Sequence, residues 1–322
     1  MFVKLKKDIP ANFFQICEKT RDDISFKTLV GQFDSIEETR TLYSQKAFRL
    51  LGNAYMRFLE RGDFELSTLC AVQVTDIGRV ALEEDDKPLV ELTFIRFNTL
   101  LRFGIKHGTR EAELRNLYNA LDQYGTFILA ALKQEKIQYV EDGCRYLKDY
   151  GSKIYRISRD VPGFEFLVDV VAAELRTILV AVAEVDAPID LQERLLDLML
   201  QLDNMPDFDK KELQANSIVY DRVRILQTSL ALYYLRTGKE ALAHRIVTDI
   251  LEDFEFLGEL LLRDAMLETI KSLEQAPPTF WEDTDRGNQN IYYSPDTEFL
   301  PVFHRMFEEA LVELVTTKPR EA

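Results

Sequence analysis

The stretch Val219–Phe254 reads VYDRVRILQTSLALYYLRTGKEALAHRIVTDILEDF. Val219, Val223, Leu226, Leu230 and Tyr233 recur three or four residues apart, so the spacing predicts a helix that carries them on one face. Ile225, Leu232 and Leu235 widen that face and predict burial on more than one side. Leu242, Ile246, Ile250 and Phe254 step by four, with Ala243, Val247 and Leu251 beside them, which predicts a second helix. Gly238 stands between the two and can adopt the left-handed backbone that ends a helix. The stretch is therefore read as a tight αα-hairpin of antiparallel helices, the unit from which helical arrays are built.

The small and aromatic residues of this hairpin resemble a tetratricopeptide repeat. The correspondence is carried by Ala231, Tyr234, Gly238 and Ala243: a small residue and an aromatic in the first helix, a glycine near the turn, an alanine five residues on. Gln227 stands where that family has Trp, and Glu255 where it has Pro. A second copy of the pattern lies at 51–74, through Phe58, Gly62, Ser67 and Val74, with Tyr55 at its small position. The resemblance implies helix pairs stacked side by side and a protein or peptide as partner.

Working outward, the rest of the chain reads as helix after helix. Asn12–Thr28 is expected to be a short first helix. Ser35-Ile-Glu-Glu38 is a capping box that opens a helix ending near Arg61. Phe64–Leu82 follows, and the acidic run 83–88 is read as a solvated loop that breaks it. Leu89–His107, a helix capped by Thr109 and running to about Lys133, and Ile137–Ile157 come next. The last of these is rich in tyrosine (Tyr139, Tyr146, Tyr150, Tyr155). Leu167–Val185 is expected to be buried nearly all round. Asp190-Leu-Gln-Glu193 and Asp209-Lys-Lys-Glu212 look like capped starts, and Ser294-Pro295 opens a last helix to about Val315. With Leu257–Leu273 this predicts an all-α chain, an irregular array or bundle of about eleven or twelve antiparallel helices with αα-hairpin character. The turn glycines Gly62, Gly108, Gly163 and Gly238 lie 46, 55 and 75 residues apart, which is no fixed period. Val161-Pro162-Gly163 is the clearest break in the first half. It suggests an N-terminal half, 1–160, and a C-terminal half, 161–322, that holds hairpin 219–256 and loop 276–293; one continuous helical domain is the alternative.

Composition narrows the function. The 322 residues include 55 Asp and Glu against 40 Lys and Arg, a net charge of −15. Nucleic-acid binding needs clustered basic side chains, so no nucleic-acid partner is expected. No uncharged run approaches the ~20 residues of a spanning helix, and no secretory signal follows Met1, so a cytoplasmic chain without membrane insertion is expected. A place in a membrane-associated assembly is compatible with that. Cys17, Cys70 and Cys144 are too far apart for a zinc knuckle and odd in number, which fits core thiols.

Catalytic motifs are missing from the sequence. His107 and Glu111, Glu240 and His244, and His304 and Glu308 are each four apart, a spacing at which one helix face could carry both members. Carboxylates are so abundant that such pairs arise without a metal, and the paired Glu-x-x-His pattern of di-iron bundles is absent. Asp22-Asp23 and Asp85-Asp86 lack the third carboxylate of a magnesium-binding run, and Asp86 is followed by Lys87-Pro88, read as loop. There is no phosphate loop and no Gly-x-Ser-x-Gly elbow. No catalytic residue, metal or cofactor is expected.

The one long stretch without helical period, 277–293, reads PPTFWEDTDRGNQNIYY. It holds the only Trp, and aromatic residues with Arg are what anchor interfaces. Trp281, Asp283, Asp285, Arg286, Tyr292 and Tyr293 are the candidate binding residues. The same stretch can be read as a strap whose aromatics bury area on the helices. Two functions remain open. One is a non-catalytic interaction scaffold or cytoplasmic domain for a protein or peptide partner of basic or mixed charge, of unspecified oligomeric state. The other is an enzyme or small-molecule sensor with an inter-helical pocket closed by 277–293.

Overall fold

One kind of turn recurs along the chain and organises the helices. The computed structural model describes residues 40–107, 111–158, 165–202, 217–254 and 296–317, with a few positions between 263 and 269. Among the described residues there are ten α-helices, one short 3-10 helix and no strand, so the chain is all-α. In chain order they are α1 (Arg40–Arg61), α2 (Phe64–Glu83), α3 (Lys87–His107), α4 (Glu111–Lys133), α5 (Ile137–Ser158), α6 (Glu165–Glu184), α7 (Ile189–Leu200), α8 (Ser217–Arg236), α9 (Glu240–Phe254) and α10 (Leu300–Thr317). The 3-10 helix, Asp296–Phe299, precedes α10. The expected helix Asn12–Thr28, the capping box at Ser35, Thr109, Asp209–Glu212 and loop 277–293 lie outside the described residues.

At Asp85, Glu135, Asp186 and Gly238 the backbone enters the left-handed region, with φ of 56°, 57°, 52° and 72°. In each turn that residue's amide donates to the carbonyl three back: Leu82, Leu132, Ala183 and Leu235. The next amide donates five back, to Ala81, Ala131, Val182 and Tyr234. This is the Schellman pattern, which satisfies the last carbonyls of a helix. The four turns close α2, α4, α6 and α8 and lie 50, 51 and 52 residues apart. Gly62 (φ 77°) closes α1 with the same two bonds, to Leu59 and Phe58, 23 residues before Asp85, so the 50-residue step is that of α2, α4, α6 and α8. The glycine spacings conceal it, because three of the four turns are carried by Asp or Glu at some conformational cost.

Bonds between helices keep the same interval. Asn119 Nδ2 donates to Thr68 Oγ1 (2.9 Å), 51 residues away; Tyr150 donates to Asn98, 52 away; Arg245 pairs with Asp197, 48 away. Turn residues are tied to the turn before them as well. Lys136 lies 2.5 Å from Asp85, and Lys239 lies 3.8 Å from Asp186.

Two helix starts differ from expectation. The acidic run leads straight into helix: α3 begins at Lys87, with Pro88 in its first turn, where its missing amide costs nothing. The Asp86 carboxylate accepts from the Leu89 amide (3.1 Å) and serves as the cap. At α7, Asp190 is not the cap. It lies inside the first turn, Pro188 precedes the helix and no side chain caps it. Gln192 instead donates to the Ala187 carbonyl (2.7 Å).

The chain divides into two compact units, Met1–Val170 and Val171–Ala322, and the division falls within α6. In the first unit α1, α3 and α5 form one layer and α2 and α4 the other. α2 packs on α1, α3 and α4, and α4 packs on α3 and α5. Tyr55, Phe58, Cys70, Val74, Phe97, Leu121 and Phe127 fill the space between them. In the second unit α8 and α9 form the expected hairpin, and α10 with the 3-10 helix packs on both. Ala231, Tyr234 and Ala243 are fully buried there, and Gln227 is buried too. α6 is buried almost all round, as its composition predicts.

Candidate functional site

The described residues offer a lined cleft in the second unit and an aromatic stripe in the first. In the first unit α3 and α5 belong to the same layer and touch sparsely, and aromatic rings line the seam between them, the α3–α5 groove. α5 presents Tyr139, Tyr146 and Tyr150, seven and four residues apart, a spacing that aligns them along one face. Phe94 of α3 is the floor. Its ring centroid lies 5.9 Å from that of Tyr139 and 6.3 Å from that of Tyr146. Beneath it, Tyr124 and Phe127 meet Phe94 edge-on at 6.0 and 5.1 Å, so the floor is held by packed aromatics. Gly143 lets α5 come this close: a Cβ there would stand 2.5 Å from Ile128 and 3.4 Å from Phe94.

The groove is apolar at its base and polar at its ends. Tyr150 is buried and donates to Asn98, and Lys153 lies 5.5 Å from the centre of its ring. Burial pushes the Tyr150 phenol well above its ordinary range. Tyr139 is also raised, first by partial burial and then by the nearby Glu91 and Asp85 carboxylates, with Lys136, paired to Asp85, acting the other way. Asp142 pairs with Arg145 (3.1 Å). Tyr146 is 41 % exposed, and Ile95 on α3 is 58 % exposed. Large aromatics held rigidly yet open to water suit the anchoring of a partner, because they bury much area at little entropic cost.

In the second unit a cleft of about 510 Å³ lies between α7 and α9. Asp197 and Arg245 pair across it, and His244, Thr248 and Glu252 line its α9 wall. Thr248 Oγ1 donates to the His244 carbonyl (3.0 Å). The cleft contains acids, a base and a histidine, but no serine or cysteine nucleophile lines it.

His244 lines the cleft with Glu240 exposed at the start of α9. His304 lies 3.8 Å from Glu308, whose carboxylate is held by Arg263 through bonds of 2.9 to 3.2 Å. The side chain of His107 lies outside the described residues. Among the described residues no three His, Cys, Asp or Glu side chains converge as a metal site would require. Cys70 and Cys144 are both buried, and burial pushes the Cys144 thiol up, which makes it inert. No helix among the described residues is long and apolar enough to cross a membrane.

Trp281, Asp283, Asp285, Arg286, Tyr292 and Tyr293 lie outside the described residues. The groove itself is a feature that sequence reading passed over. Its tyrosines stood out only as composition; the seven-residue step from Tyr139 to Tyr146 is the signal that marks them as one stripe.

Comparison with known proteins adds little. No family model matches the chain, and no curated protein matches it. A solved structure described as a circular tandem repeat protein with novel repeat topology and enhanced subunit contact surfaces is similar over 94 % of this chain and 72 % of its own, at 14 % identity and a TM-score of 0.47.

Proposed function

We propose that this chain is a non-catalytic, cytoplasmic interaction scaffold that takes a protein or peptide segment of basic or mixed charge along the α3–α5 groove. The observation that carries the reading is the ring stripe of Tyr139 and Tyr146 over Phe94, rigid below and open above. An apolar side chain of the partner covers Phe94 and Tyr146, and a cationic one meets the Glu91 end. The net charge of −15 favours such a partner and steers its approach. Trp281, Asp283, Asp285, Arg286, Tyr292 and Tyr293 are proposed as a second contact. The α7–α9 cleft supports the other reading, a small-molecule sensor, through the Arg245–Asp197 pair and His244 on one wall.

Affinity capture from the native host with the whole chain, run in parallel with Tyr146→Ser and Trp281→Ala, tests this. Tyr146 is half in solvent, so its loss leaves the melting temperature nearly unchanged while affinity for a captured partner drops about thirtyfold, the effect of an anchor worth ~2 kcal/mol. A partner held equally by wild type and Tyr146→Ser removes the groove from the proposal. A partner lost with Asp197→Ala instead moves the function to the cleft.

A further inference from the structure

We propose that Arg49 and Arg96 of the first unit form a binding site for a single phosphomonoester-type dianion. The site is separate from the aromatic groove and does not depend on it. Acids outnumber bases in this chain by 55 to 40, yet among the described residues no carboxylate pairs with Arg96. Its Nε is sealed from solvent and has no hydrogen-bond partner. Room for the guanidinium is made by Gly52 of α1: a Cβ at that position would stand 2.7 Å from Arg96 Nη1 and 3.3 Å from its Cδ. Arg49 lies one turn before Gly52, on the same helix face, and is exposed. Burial first, and the Arg49 charge second, hold Arg96 below the usual arginine range.

Two like charges that meet at Gly52, one of them partly desolvated and without an acid among the described residues, work against stability. Arrangements of that kind gather where a ligand supplies the missing charge. The missing charge here is two units. A phosphate monoester carries close to that at neutral pH and offers three acceptor oxygens to the guanidinium forks, whereas a lone carboxylate leaves one arginine uncompensated. The acidic remainder of the chain repels long polyanions, so the fit is to one isolated phosphate group, free or on a peptide.

The full chain is melted in sodium phosphate and in sodium chloride at equal ionic strength, with Arg96→Met and Arg49→Met alongside. Phosphate is expected to raise the melting temperature of wild type by about 2–4 °C over chloride, and neither variant should show that rise. In chloride, Arg96→Met should melt no lower than wild type, since it removes the repulsion. If Arg96→Met does not fold, Arg49→Met carries the test, because Arg49 is exposed and its loss leaves packing intact. A phosphoserine peptide and its unmodified form, compared by calorimetry, separate the sources: a phosphopeptide that binds more tightly than inorganic phosphate assigns the site to a peptide, and equal affinity assigns it to a small phosphate. The proposal is overturned if wild type gives no phosphate-specific rise, or if wild type and both variants rise alike.

Discussion

The two units bury polar groups in different ways. In the first, a chain of buried side-chain hydrogen bonds links α1, α2 and α4. Ser67 Oγ donates to Asn116 Oδ1 (2.5 Å), Asn116 Nδ2 donates to Tyr55 Oη (2.8 Å), and Asn119 holds Thr68 (2.9 Å). Thr75 adds bonds to the Ala71 and Gln123 carbonyls. These bonds tie α1, α2 and α4 at one register, since a slip by one residue would leave each partner without its bond. In the second unit α8 carries Thr228, Ser229 and Tyr234, all buried, whose hydroxyls have no hydrogen-bond partner among the described residues. Burial raises the Tyr234 phenol further than the neighbouring Arg176 charge can lower it. Ala231 and Ala243 are fully buried in that hairpin, where small side chains let the helices approach closely. The first unit thus shows a bonded polar network, and α8 of the second a set of buried hydroxyls without such bonds among the described residues.

Breaking each unit by its own means should give the largest effects. Asn116→Ala takes the Asn116 amide from Tyr55 and leaves Ser67 only the Phe64 carbonyl, and a loss of about 2–3 kcal/mol is expected in urea melts. Ala243→Trp forces an indole into a crossing with no free surface. Overpacking of that kind costs ~1–3 kcal/mol, and an unchanged melt would mean that the crossing is looser than Ala243 indicates. A matched pair of smaller changes sharpens the contrast. Tyr55→Phe removes a bonded hydroxyl and should cost about 1 kcal/mol, while Tyr234→Phe removes an unbonded one and should be neutral or slightly stabilising. Equal losses from the two would show that Tyr234 gains a partner in solution.

The turns give the smallest and most diagnostic effects. Glu135→Gly relieves a left-handed backbone and should leave stability unchanged or raise it by roughly 0.5 kcal/mol, whereas Gly238→Ala imposes that strain and should lower it by about 1 kcal/mol. Calorimetry on the two variants checks both signs. A loss from Glu135→Gly would mean that its side chain contributes something beyond the turn.

Helix content was legible in the sequence because it is a local property. Apolar residues three and four apart predict which face of α8 or α9 is buried wherever the helix is placed, and the ends at Arg61, Lys133 and near Glu83 follow from short-range signals. The period of the array was not legible, because the turn needs only a residue able to reach positive φ. Asp85, Glu135 and Asp186 do so without announcing it, and of the glycines that announce turns only Gly238 falls on the 50-residue step. The groove and the arginine pair were hidden for a related reason. Phe94 meets Tyr146, and Arg96 crosses Gly52, only because helices some 50 residues apart in sequence lie side by side. Spacing along one helix fixes what shares a face; which face of another helix lies opposite is decided by packing, and there alone does an ordinary tyrosine become an anchor or an ordinary arginine lose its counter-charge.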